Sequence, residues 1–154
     1  MKLKHLSILL VTLIISLLLL CQTCFAAANV IKINGEATEI PEGMGQIREK
    51  DDRTFVPMRF ISEFLDNDVW YMDEEKSALV NSADKVILAQ DGNPVLFVTT
   101  KATSETYNTQ MDTAAFIDAT EGRMYLPIRF LAEALGYTVG WDEETQTVTL
   151  DLAQ

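Results

Sequence analysis

The chain has 154 residues, 48% of them hydrophobic, and sets 23 acidic residues against 12 basic ones for a formal net charge of −11. So large an acidic excess excludes binding of nucleic acid or of anionic lipid through general electrostatics. The only histidine, His5, and the only cysteines, Cys21 and Cys24, stand near the start. The rest of the chain therefore lacks the imidazole and thiol of the familiar nucleophilic triads and of histidine-held copper.

Residues 1–28 read as a signal peptide. Lys2 and Lys4 give a positive start, residues 6–20 an apolar core, and Ala26, Ala27 and Ala28 a small-residue cleavage site. The apolar run falls short of the roughly 20 residues of a membrane span. Lipidation of a cysteine fits poorly, because Leu20 precedes Cys21, and Gln22 and Thr23 precede Cys24. Export and cleavage after Ala28 are expected, with membrane contact only through the uncleaved segment. Cleavage removes His5, both cysteines and two lysines, taking the net charge from −11 to −13. About 126 residues remain, enough for one domain with a core of its own.

Residues 30–33 read as a strand entering a hairpin at Asn34-Gly35, a pair that tolerates positive φ. Residues 41–50, with two glycines and mixed charge, read as a loop, and Glu49, Lys50, Asp51 and Asp52 as a solvated turn. Residues 53–65 (RTFVPMRFISEFL) then open on a short strand. Pro57 fits the first turn of a helix, where its missing N–H is not needed. Phe60, Ile61, Phe64 and Leu65 share one face of that helix, with Asn67 as its left-handed stop. An apolar run with Trp70 leads to an acidic turn at 73–76 and a returning strand at 77–80. Residues 86–89 and 95–98 flank an Asp91-Gly92 hairpin signal. Residues 99–113 are polar and aperiodic and read as the longest loop, where binding groups tend to sit. Strands at 115–118 and 123–126 follow, about Glu121-Gly122, and residues 146–152 close the chain as an alternating strand.

The stretch at 123–135 (RMYLPIRFLAEAL) repeats the one at 53–65, with six of thirteen positions identical. Phe130, Leu131, Ala134 and Leu135 share its helix face and Gly136 ends it. Each copy is followed by a tryptophan run and an acidic turn (DEEK at 73–76, DEET at 142–145). Self-similarity of this kind predicts one supersecondary unit built twice, about 30–82 and 83–152. The fold class expected is α+β: twisted antiparallel sheet units, each packed on a short helix, internally duplicated.

The pattern from Arg123 through Pro127, Arg129, Phe130, Glu133, Leu135 and Gly136 to Trp141 resembles the copper amine oxidase N-terminal-like domain of secreted bacterial proteins. Arg53, Pro57, Arg59, Phe60, Glu63 and Leu65 match it in the first copy. That copy departs at Asp66 and Asn67, where Gly136 and Tyr137 stand, and by one extra residue at Met72. The resemblance covers about residues 30–152, so 29–154 is read as one such domain. It implies a stalk-type module without activity, found alone or beside cell-wall and surface modules. Oxidase activity is excluded by the missing histidines, and Tyr71, Tyr107, Tyr125 and Tyr137 do not fit the quinone-forming setting. No cofactor and no catalytic residue are assigned.

The acidic turns lack the alternating loop that holds calcium, so no metal site is assigned. A carboxylate-dependent hydrolase needs two acids facing each other in a pocket. Arg59 and Arg129 stand four residues before Glu63 and Glu133, which predicts an ion pair on each helix rather than an anion site. Trp70 or Tyr71, and Trp141, are expected to fill the core. The other reading is a carbohydrate- or peptidoglycan-binding protein, with Trp70, Tyr71, Tyr107, Tyr137 and Trp141 as ligand contacts, and their exposure decides between the two. The function expected is an exported, non-catalytic structural or interaction module, secreted or at the cell surface, with a wall polymer or surface protein as partner.

Overall fold

A computed structural model describes residues 30–153 apart from 143 and 146. The segment read as a signal peptide, with His5, Cys21 and Cys24, lies outside these residues. So does Glu143 of the second acidic turn.

Among the described residues the chain is mostly β-sheet with two short helices, an α+β arrangement of three sheets. The first hairpin joins β1 (Val30–Ile33) to β2 (Glu36–Glu39), with Asn34 at φ 51° and Gly35 at φ 84° in its turn. A short strand inside the expected loop, β3 (Arg48–Lys50), then leads to β4 (Arg53–Pro57) and α1 (Met58–Phe64). Five antiparallel strands make the largest sheet: β5 (Asp68–Met72), β6 (Ser77–Asn81), β7 (Lys85–Gln90), β8 (Val95–Thr100) and β9 (Thr106–Gln110). The order of the first half then recurs in β10 (Phe116–Asp118), β11 (Arg123–Pro127), α2 (Ile128–Ala134), β12 (Tyr137–Asp142) and β13 (Thr147–Leu152).

The central sheet runs β10-β11-β4-β3. Its middle pair is made by the two motif segments themselves: Phe55, Val56 and Pro57 face Pro127, Leu126 and Tyr125. Val56 thus meets Leu126, the residue at the same motif position, while Phe55 and Pro57 each meet the residue two places from theirs. Both helices pack on this sheet and on the hairpin that follows each of them. The core lies between them: Val56, Ile61, Val80, Ile87, Leu126, Leu131 and Leu150 are fully buried.

Several expectations are corrected. The sheets are not all antiparallel, because β1 lies parallel to β13 in the order β12-β13-β1-β2. These strands stand at opposite ends of the described chain, so no tight turn dictates an antiparallel match. The polar stretch 99–113 contains β9, an edge strand with an almost wholly exposed surface. With no face to bury, it carries no alternation to read. Sheet β5–β9 takes β5–β6 and β7–β9 from opposite sides of Ser82, and β1–β2 joins β12–β13.

The helix ends also differ from expectation. Pro57 and Pro127 stand one place earlier than the first turn, at the N-cap, in extended conformation with φ near −60°. The left-handed residue after α1 is Asp66 (φ 58°), the true counterpart of Gly136 (φ 90°), and not Asn67. Asn67 instead donates its side-chain amide to the carbonyls of Ser62 and Leu65, at 3.2 and 2.7 Å. Its own N–H reaches Ser62 and that of Asp66 reaches Glu63, closing the helix. Phe64 leaves the core and is 45% exposed, while Met58 and Ser62 are buried in its place. Phe64 is the last residue of this seven-residue helix, and its ring lies 5.9 Å from that of Phe60.

Finally, no extra residue interrupts the first hairpin. Met72 pairs with Ser77 as Asp142 pairs with Thr147, and Asp68 with Asn81 as Thr138 with Asp151. In this register Trp141 corresponds to Tyr71, and Gly140 to Trp70.

Candidate functional site

The motif arginines and aromatics are brought together by the pairing of β4 with β11. Each motif strand runs out over the helix and hairpin of the other copy, and a groove opens at each crossing. The first groove, about 260 Å³, lies among Pro57, Met58 and Arg59 at the start of α1, Val69, Tyr71 and Ala78 of the following hairpin, and Arg123 and Met124 of β11. The second, about 450 Å³, lies among Pro127, Ile128 and Arg129, Val139, Trp141 and Val148, and Arg53 and Thr54 of β4. These residues correspond at a spacing of seventy, while Met44 and Glu121 in the first groove, and Asp112, Phe130 and Gly140 in the second, have no counterpart in the other. Each groove holds an aromatic ring and two arginines, one from each motif copy.

The wall of the first groove is set by a polar network. Arg48 holds Asp118 at 2.5 Å and Glu121 at 2.6 Å, and its guanidinium lies 4.6 Å from the centre of the Tyr125 ring. The hydroxyl of Tyr125, a fully buried residue, donates to Glu121 Oε2 at 2.6 Å and accepts from the Gln46 N–H at 3.3 Å. Phe116 stacks on the same ring at 5.4 Å. The loop before β3 fits over this cluster only through Gly45, at φ 97°. A Cβ there would meet Tyr125 Oη and Pro57 Cγ, each at 2.6 Å. The sequence carries no pattern that announces either residue: the partners of Arg48 stand 70 and 73 positions on, and Tyr125 lies in the other motif copy from the loop that holds Gly45.

Asp118 and Glu121 are the two carboxylates that come near each other here. The Tyr125 hydroxyl holds Glu121 below the usual carboxylate range, and the backbone N–H of Glu121 does the same for Asp118. A glycoside-cleaving pair needs one carboxyl held protonated by its surroundings. Both of these are held ionised and share one arginine, so they build the wall instead of a reaction centre. Among the described residues no group of three or more His, Cys, Asp or Glu side chains is placed to hold a metal ion.

Of the helix ion pairs read from spacing, one forms: Arg59 Nη1 lies 2.9 Å from Glu63 Oε1, on an exposed face. Arg129 has no ion pair or hydrogen bond among the described residues. It is an exposed residue that lines the second groove, as Trp141 does. Arg53 pairs with Asp112, and Arg123 donates to the Gly43 carbonyl and, at 3.2 Å, to that of Glu121. Phe60 is buried, while Phe130, Leu65 and Leu135 are half-buried against the core.

The tryptophans do not fill the core. Trp141 is 46% exposed and Tyr71 36%, each on the groove side of its strand, while Trp70 is 51% exposed. Alternation turns Trp70 to the other face of its sheet, in line with Leu79, Leu88 and Phe97 on successive strands. The physical reason is strand position. β5 and β12 are the outermost strands of their sheets, so their side chains have packing on one flank only. Tyr107, on edge strand β9, is exposed, and Tyr137 is half-buried against the core. The structure thus gathers Tyr71 and Trp141 into equivalent grooves and leaves Trp70, Tyr107 and Tyr137 outside them.

No curated protein and no solved structure matches the chain. The sequence model of one family, described as copper amine oxidase N-terminal domain, matches residues 29–150. That span takes in both motif copies, the central sheet and both grooves. The chain belongs to the copper amine oxidase N-terminal domain family.

Proposed function

We propose that this protein is an exported interaction module of the cell surface or cell wall, without catalytic activity of its own, which holds its partner in the paired grooves. The copper amine oxidase N-terminal domain is non-catalytic. The observation that carries the proposal is the placing of charge. In a chain of net charge −11, four of the five arginines line two equivalent grooves, each beside an exposed aromatic ring. A pure stalk has no use for such a concentration, whereas aromatic and arginine side chains are the usual anchors of a binding surface.

On this reading residues 1–28 are removed on export, residues 29–154 form the domain, and units of about 30–82 and 83–152 descend from one doubled segment. The doubling accounts for the repeated motif, for its self-pairing in the central sheet, and for two grooves instead of one. Co-sedimentation with insoluble wall fragments of the producing cells tests the proposal. The protein is expected in the pellet, starting near Asn29 on N-terminal sequencing. Recovery of the whole sample in the supernatant would overturn the wall assignment, and a start at Met1 would overturn the processing.

A further inference from the structure

We propose that the groove beside α2 binds a carboxylate-bearing sugar unit of an acidic polysaccharide, with Trp141 as the stacking platform and Arg129 as the carboxylate partner. The proposal rests on the interaction-module reading and gives that module its ligand class.

Four observations converge on this groove. The first is the state of its arginines. Arg48, Arg53, Arg59 and Arg123 all have partners within the chain, but Arg129 has none among the described residues. A guanidinium offers a planar fork of donors that matches a carboxylate in two parallel hydrogen bonds. The second is Trp141, a residue 46% exposed that lines the same groove. An indole combines a broad apolar face with one N–H donor, which suits a ring ligand with an apolar face and a polar rim.

The third is the balance of charge. Asp52 and Asp112 line the groove together with Arg53 and Arg129, so the two signs cancel. General attraction therefore contributes nothing there, and an anion must be recognised by direct contact. A ligand with one carboxylate per ring meets Arg129 directly, while the Arg53–Asp112 pair offers donors and acceptors to hydroxyl groups. The fourth is the contrast with the other groove. There the volume is about 260 Å³ instead of about 450 Å³, and both arginines already have partners. The groove beside α1 is therefore the weaker or empty counterpart.

Calorimetric titration of the protein, purified as its own cells produce it, provides the test. The probes are an oligogalacturonate and a neutral cello-oligosaccharide of equal length. The acidic oligomer is expected to bind, and the neutral one about tenfold or more weakly, a difference of about 1.4 kcal/mol. Trp141→Ala and Arg129→Gln should each weaken binding by about tenfold or more, while Arg59→Gln leaves it unchanged. Both changed side chains are exposed, so circular dichroism and urea midpoints should match the parent.

Equal binding of the two oligomers, indifference to both groove variants, or displacement by a peptide with an aromatic C-terminal residue would each overturn the proposal. Loss of oligogalacturonate binding with wall co-sedimentation intact would overturn the ligand class alone. Failure of both would overturn the interaction reading as well.

Discussion

Val56 faces Leu126 across the β4–β11 pair, and the two residues hold the same position in the repeated motif. Both are fully buried, so the chain is joined to its own repeat at the centre of its core. Neither motif segment has a complete sheet without the other. The same is true of the flanking sheets, where β1 pairs with β13 and β6 with β7.

Leu126→Ala removes apolar contact from both motif copies at once and should cost about 2–5 kcal/mol, the usual range for a buried leucine. Leu65→Ala and Leu135→Ala, at half-buried positions, should cost less. Urea melts of the three variants check the order. A parent melt with two separated transitions would show that the halves fold independently, against the shared central sheet.

Much of this was legible before the structure. Asn34-Gly35 and Asp91-Gly92 mark real hairpins because positive φ is a local demand that few residues meet. The helices at 58–64 and 128–134 follow from a proline at the start and a left-handed residue at the end. What was illegible is whatever depends on a partner far along the chain. The parallel match of Ile31 with Val148, the ring of groups about Tyr125, and the gathering of Arg53 and Trp141 into one groove leave no periodic trace. The exposure of Trp141 is illegible for a related reason: aromatic character predicts burial, but its strand lies at the edge of its sheet. Asparagine and aspartate both tolerate the left-handed position after α1, so only the match with Gly136 distinguishes Asp66 from Asn67.

Gly45→Ala should be among the most damaging single-methyl changes. The added carbon would lie 2.6 Å from both Tyr125 Oη and Pro57 Cγ, and φ at 97° is strained for any side chain. Tyr125 is fully buried and pinned by Glu121, so it cannot yield. A loss of about 1–3 kcal/mol is expected, as for overpacking of a filled core. Gly43→Ala, where a Cβ meets nothing within 4 Å although φ is also positive, should cost only about 1 kcal/mol of backbone strain. Equal midpoints for the two variants would argue against the close fit of this loop.

Acid should weaken the fold at the β1–β12 side. The Lys32 ammonium, and next the Thr145 N–H, hold the Asp142 carboxyl down at about 2, against an ordinary value of about 3.9. The folded chain then takes up this proton less readily than the unfolded one. The stabilisation is present above pH of about 4 and is lost as pH falls toward 2. Glu121 and Asp118 are shifted in the same direction. Acid also relieves the self-repulsion of so acidic a chain, an effect nearly common to parent and variant. The measurement is therefore a comparison: the urea midpoint of Asp142→Asn should fall less steeply from pH 4 to pH 2 than that of the parent. Parallel curves would show that the Lys32 contact does nothing for stability.

Ser62 and Ala132 occupy equivalent places in α1 and α2, and both are fully buried. The Ser62 hydroxyl has no hydrogen-bond partner among the described residues, although a buried hydroxyl left unpaired costs about 1–3 kcal/mol. The second helix meets the same surroundings with a methyl group and avoids that cost. Ser62→Ala should therefore stabilise the protein by about 1 kcal/mol, helped by the higher helix propensity of alanine. The reverse change, Ala132→Ser, buries a new hydroxyl at the matching place and should destabilise by about 1–3 kcal/mol. Paired urea melts read both changes against the parent. Opposite signs would support the equivalence of the two helix environments. A loss of stability in Ser62→Ala would mean that the hydroxyl has a bonded partner, and that the first helix is held in a way the second is not.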